Sequence, residues 1–200
     1  QGAEASASRA SQPPVPLVMG QPGAAPHIRI LKSAERVPWS GHSSLYAIPE
    51  LYDELKRAKL ALIFVNTRSQ AEMVFQSLWE ANDDHLPIAL HHGSLDVSQR
   101  RKVEAAMAEG RLRAVVCTST LELGIDWGDV DLVIHVGAPK GSSRLLQRIG
   151  RSNHRLDLPS EALLVPSNRF EVLECEAALQ AARVNAQDTE YPMVLKFDVL

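Results

Sequence analysis

From residue 27 onward, short apolar runs alternate with longer segments in which apolar residues recur every three to four positions. Ile28, Arg29, Ile30 and Leu31 form a short strand candidate, and a turn-rich link, Pro38-Trp39-Ser40-Gly41-His42, leads to a helix over about 49–59. The apolar run 60–65 has strand length. Met73, Val74, Leu78 and Ala81, with Phe75 and Trp79 alongside, fit 3.6 residues per turn, and Ser69 is placed to cap their helix. A strand at 87–90 ends at His91-His92-Gly93, and a helix over about 97–109 stops at Gly110. Strands at 113–117 and 131–136 follow, then a helix over about 143–152, a strand at 162–165 and a helix over 169–183.

Strands alternating with helices, each strand nearly continuous in apolar residues, predict an α/β fold: a parallel sheet flanked by helices on both faces. Such sheets bind ligands beyond the carboxyl ends of their strands. Polar residues gather in those segments: Asn66-Thr67-Arg68, His91-His92-Gly93-Ser94, the stretch 118–126, and 137–140.

Residues 1–26 are rich in Ala, Ser, Gly, Gln and Pro, a composition with little power to pack, and read as a linker or tail. Residues 27–183 form the domain. Residues 184–200 mix polar and apolar positions without a period and read as a connector or the start of a following domain. The first residue is Gln1 rather than Met, which suggests a fragment or a processed product.

The 200 residues, 45% hydrophobic and 22% charged, supply one sizeable core. The net charge of -3 gives no global basic excess, but a local basic face is enough to bind phosphates. The two cysteines, Cys117 and Cys175, are far apart, which argues against a zinc framework or a disulfide scaffold and fits a reducing cytosol. No apolar run reaches the length of a membrane span, so no membrane partner is expected. Cys117 at a strand end lacks the following arginine of a phosphatase loop and reads as a small buried apolar residue.

Four constellations carry candidate chemistry. Arg144, Arg148, Arg151 and Arg155 are spaced four, three and four apart, which on a helix places them on one face. That face is either a solvated basic surface or a bidentate holder of phosphate oxygens. Gly150 inside the helix costs about 1 kcal/mol and suggests close approach to another surface. The segment Thr118-Ser119-Thr120-Leu121-Glu122-Leu123-Gly124-Ile125-Asp126 is either a capped loop or one whose hydroxyls and Gly124 bring donors to a phosphate, with Asp126 free to accept from a ribose hydroxyl or orient an arginine. Thr67 and Arg68 stand where a strand hands over to a helix, as a plain cap or as contacts to a nucleic-acid backbone. His91 and His92 point to opposite faces of a strand, so a shared metal is not expected. His92 and Gly93 are instead placed to contact a nucleic-acid strand or to form a structural turn.

Taken in order, LIFVNTR, LHHGSL, TSTLELGID and QRIGRSNH resemble motif IV, the element after the next strand, motif V and motif VI of the second RecA-like domain of superfamily 2 helicases. Over about residues 26–182, with VPWSGH before and NRFEVLECEAAL after, the chain is similar to the large helicase-related (Lhr) group. Within that group it is most similar to the ligase-associated DEXH-box DNA helicases.

The resemblance implies a RecA-like helicase C-terminal domain. It implies that Arg148 and Arg151 reach the phosphates of ATP across a cleft, acting as catalytic arginines. Gln147 lies near the nucleotide, and Gly124 and Asp126 contact or couple to it. Thr118, Thr67 and Arg68 touch the nucleic-acid backbone. His154 stands where many relatives carry a further arginine, which leaves the role of Arg155 open.

Within these residues there is neither a Gly-x-x-x-x-Gly-Lys-Ser/Thr loop nor an Asp-Glu-x-His box, one needed to hold phosphates and magnesium, the other to position water. The expectation is therefore a motor half that hydrolyses no ATP alone. It works with ATP and Mg2+ held mainly by a first RecA-like domain of the same full-length protein. The resemblance further implies 3′-to-5′ movement on single-stranded or forked DNA, with an RNA–DNA hybrid as a further candidate substrate. It also implies a role in DNA repair and a place in the cytoplasm at the bacterial nucleoid. The alternative is a non-catalytic nucleic-acid-binding scaffold module with a helicase-like fold.

Overall fold

The computed structural model describes residues 24–41, 44–122, 130–152 and 159–184. Six strands, β1 (His27–Ile30), β2 (Ala61–Phe64), β3 (Ile88–His91), β4 (Ala114–Cys117), β5 (Leu132–Val136) and β6 (Glu161–Val165), form one sheet in the order β1-β6-β5-β2-β4-β3. Every pairing is parallel. Among the described residues five α-helices accompany it: α1 (Ile48–Arg57), α2 (Arg68–Glu80), α3 (Val97–Ala108), α4 (Ser142–Ile149) and α5 (Arg169–Arg183). A 3-10 turn at Leu45–Ala47 leads into α1, and another at Ser119–Leu121 follows β4.

The central strands are buried on both sides, as their unbroken apolar runs require. Ala61 and Ile63 of β2, and Val65 just after it, face one layer with Leu51 and Leu55 of α1 and Val74 and Leu78 of α2. Leu62 and Phe64 face the other, against Met107 of α3. On that second face α4 and α5 cover β1 and β6 through Leu145, Ile149, Cys175 and Leu179. This is the predicted parallel sheet with helices on both faces.

Local chemistry explains the helix ends. Thr67, not Ser69, caps α2: its hydroxyl oxygen accepts from the backbone N–H of Gln70 at 3.1 Å. Asn168 caps α5 by accepting from the N–H groups of Phe170 and Glu171, both at 3.0 Å. The helix expected over 143–152 ends at Ile149. Gly150 is its C-cap rather than an interior residue, and the N–H groups of Arg151 and Ser152 turn back to Arg148 and Ile149, three residues earlier. The proposed cost of an interior glycine therefore does not arise. Gly137, directly after β5, has φ +89° and leaves room beside the Asn66 amide, where a Cβ would lie 3.1 Å away. Cys117 and Cys175 are free and buried, and burial pushes the Cys175 thiol up to about 12 and the Cys117 thiol well above its usual range.

Candidate nucleic-acid and nucleotide interface

The carboxyl ends of β2, β4 and β3 lie side by side, so the loops after them share one edge of the sheet. Thr67 and Arg68, Gly93 and Ser94, and Ser119 are exposed there, with Thr118 half-buried among them. Arg68 donates to the Ser94 hydroxyl at 3.4 Å and pairs with Glu72 at 3.6 Å. The Thr118 N–H donates to the His91 carbonyl at 3.3 Å. The cap uses one of the two lone pairs of the Thr67 hydroxyl oxygen and leaves its O–H able to donate. The first turn of α2 carries no acidic residue, so its positive dipole end is unopposed there.

The adjacent histidines do face opposite sides. His91 bonds the Thr120 hydroxyl through Nδ1 at 2.8 Å and Glu104 of α3 through Nε2 at 3.1 Å. His92 lies on the α2 side, its Nε2 3.5 Å from Glu72, and burial holds its pKa below the usual histidine range. The His92 ring is only 3% exposed, so the surface at this loop belongs to Gly93 and Ser94. His92 thus departs from the expectation of a direct nucleic-acid contact.

Arg148 departs further. It was expected to face an ATP phosphate on a shared basic face, yet it is 2% exposed. Its Nε donates to Glu122 Oε1 at 2.7 Å, and Nη2 reaches the same oxygen. Its Nη1 meets His135 Nε2, and the guanidinium lies over the Phe64 ring, 4.9 Å from the centroid. The reason is helix phase. Ser142, Leu145, Arg148 and Ile149 are the buried positions of α4, while Arg144 and Gln147 are exposed. Arg144 pairs with the other Glu122 oxygen at 3.4 Å. Arg151, half-buried, follows the helix in a turn. Gly124, Asp126, His154 and Arg155 lie outside the described residues.

His135 and Glu122 had no role in the sequence reading. The signal was present: a histidine within Leu132–Val136 and a glutamate within an apolar loop both need partners once buried. The His135 Nδ1–H donates to the Gly137 carbonyl at 3.0 Å, so Nε2 carries the lone pair that accepts from Arg148. Burial first, and the Arg148 charge second, push the His135 pKa down to about 3. Burial also lowers the Arg148 pKa, against the raising effect of Glu122.

Among the described residues no group of three His, Cys, Asp or Glu side chains converges as a metal cradle. Of the arginines in and just after α4, Arg144 is exposed and Arg151 half-buried, so both reach the surface, whereas Arg148 is enclosed. No described helix is long and apolar enough to cross a membrane.

A parallel sheet with these loops on its carboxyl edge, and an arginine-bearing turn after α4, has the RecA-like fold of the helicase C-terminal domain type. The chain belongs to the helicase conserved C-terminal domain family, whose model matches residues 44–155. It is 41% identical over 139 residues to the ATP-dependent helicase Lhr-Core protein 2 of Thermococcus barophilus, covering 68% of this chain and 16% of that protein. It is 39% identical over 142 residues to the ATP-dependent helicase Lhr-Core of Methanocaldococcus jannaschii, covering 69% of this chain and 17% of that one. The structure of the Mycobacterium smegmatis helicase Lhr bound to ssDNA and AMP-PNP superimposes with a TM-score of 0.75 at 31% identity, over 84% of this chain and 23% of that one. The chain therefore spans about a sixth of the length of the curated relatives it matches.

Proposed function

We propose that this chain is the second motor domain of an ATP-dependent 3′-to-5′ DNA helicase or translocase. It works with ATP and Mg2+ held mainly by a first RecA-like domain of the same protein. Arg151 is the residue that reaches the ATP phosphates, stabilising the charge that builds up as the phosphoryl group transfers. Arg148 acts behind it. Gln147, Gly124 and Asp126 serve the nucleotide side of the cleft. Thr67, Arg68, Gly93 and Thr118 hold the backbone of single-stranded or forked DNA, or of an RNA–DNA hybrid. The chain alone hydrolyses no ATP, and the full-length protein serves DNA repair at the bacterial nucleoid, in the cytoplasm.

The observation that carries this reading is the shared edge. Three loops distant in sequence present hydroxyls, exposed backbone and the Arg68 guanidinium side by side, beyond the carboxyl ends of adjacent parallel strands. Such an edge suits a row of phosphates better than a single small ligand. The family membership and the ssDNA and AMP-PNP named for the similar Lhr structure support the same conclusion.

The test is strand displacement by the full-length protein on duplexes with a 3′ or a 5′ single-stranded tail. ATP-dependent displacement from the 3′-tailed duplex alone is expected. Displacement from the 5′ tail, or displacement indifferent to ATP, would overturn the reading.

A further inference from the structure

Arg148 is where the loops of the candidate interface are tied together. Glu122 directly follows the 3-10 turn Ser119–Leu121 after β4, His135 belongs to β5, and Arg148 belongs to α4. Thr120, in the same loop as Glu122, bonds His91 at 2.8 Å, which brings in the loop after β3. The Asn66 amide donates to the Ala138 carbonyl at 3.1 Å, which brings in the loop after β2. On the far side, the Arg151 N–H donates to the Arg148 carbonyl at 3.0 Å. One buried guanidinium thus stands between the nucleic-acid edge and the turn that carries Arg151.

We infer that Glu122, His135 and Arg148 are positioning residues that form a lock, making the loop of Thr118 and the turn of Arg151 move as one body when nucleic acid binds. The inference rests on the motor reading above and adds how its two surfaces communicate. None of the three touches a ligand directly: Glu122 is 5%, His135 1% and Arg148 2% exposed. Their chemistry supplies direction rather than affinity. A buried ion pair is on average no more stabilising than an apolar pair of equal volume, so its use here points to geometry. The guanidinium fork fixes three vectors at once: Nε and Nη2 on Glu122, and Nη1 on His135. The imidazole is itself oriented by the Gly137 carbonyl. Glu122 keeps its second oxygen for Arg144, so two points one turn apart on α4 are held to the same carboxylate. Sliding the Thr118 loop against α4 would part a charge pair inside a low-dielectric interior, which is strongly opposed. Displacement at one surface is therefore passed to the other instead of being absorbed between them.

The experiment compares full-length wild type with the double variant Arg148→Met/Glu122→Leu, which keeps the buried volume and removes the directed bonds. Thermal melting, the Kd for an oligo-dT single strand, the KM for ATP and kcat at saturating oligo-dT are measured together. The lock predicts a melting temperature, Kd and KM close to wild type, with kcat down at least about tenfold, since small misplacements of catalytic groups cost up to about a hundredfold. A pair that only holds the fold would give wild-type kcat in a double variant that melts like wild type, and that result overturns the lock. A fall in kcat matched by an equal loss of oligo-dT binding overturns it too. Should the double variant fail to fold, Glu122→Gln is read below its melting temperature by the same criteria, and wild-type kcat there overturns the lock. Wild-type protein without DNA-stimulated turnover overturns the motor reading and the lock together. Stimulated wild type with undiminished variants overturns the lock alone.

Discussion

Replacing Arg148 by methionine should be among the most destabilising single changes that keep the volume of the core. The side chains of Arg148 and Glu122 are 2% and 6% exposed, so the variant leaves a carboxylate in the interior without its main partner. Breaking a buried pair in this way costs about 3–5 kcal/mol. Methionine is flexible enough to refill most of the space, so the cavity term is small. Arg144, 3.4 Å from the second Glu122 oxygen, takes up part of the charge and moves the expectation to the lower end, near 3 kcal/mol. Urea unfolding of this chain followed by circular dichroism reads the loss. With a slope of about 1–3 kcal/mol per molar urea, the midpoint should fall by about 1–3 M. Arg144→Met is the control, because that side chain is 42% exposed and its pair is worth about 1 kcal/mol or less. If Arg148→Met unfolds within about 1 kcal/mol of wild type, or no earlier than Arg144→Met, the buried network is not what holds these elements.

Other outcomes follow from the same geometry. His135 is neutral in the fold, with its pKa near 3, and about 6.5 when unfolded, so the unfolded chain takes up the proton first as pH falls. Its contribution is complete above pH about 6.5 and is lost between there and about 3, at up to about 1.4 kcal/mol per pH unit. The urea midpoint should therefore drop more steeply from pH 6.5 to 4.5 in wild type than in His135→Gln, and equal slopes would refute the assignment. Gly137→Ala forces a side chain onto φ +89° with Asn66 3.1 Å away, and should cost about 1–3 kcal/mol in the same unfolding assay. Arg68→Ala in the full-length protein should weaken oligo-dT binding and flatten its log–log salt dependence by about 0.7, the share of one phosphate contact; an unchanged slope removes Arg68 from the interface.

Much of the fold is visible in the sequence because each element depends on its own residues. Apolar runs bounded by polar loops place β2, β4 and β5, and the periodicity of residues 169–183 places α5 in full. Strand alternation separates His91 from His92 correctly. What escaped are pairings over distance. Charge alone groups Arg148 with Arg144, although its spacing from Leu145 and Ile149 puts it on the apolar stripe of α4. Its partner Glu122 lies 26 residues away, and only the adjacency of β4, β2 and β5 brings them together. Ser69 and Thr67 are both plausible caps by residue type; what decides is which one precedes the first helical turn in extended backbone, and Thr67 does, at φ -134° and ψ 157°.

In the proposed motor, Arg151 completes the phosphoryl-transfer site. The most direct measurement is the ATP turnover of the full-length protein at saturating single-stranded DNA, with wild type and Arg151→Ala side by side and both shown to be folded by thermal melting. A loss of about a thousandfold or more in kcat is expected, the scale of an arginine withdrawn from a transferring phosphoryl group. Turnover by Arg151→Ala within a few-fold of wild type would contradict it.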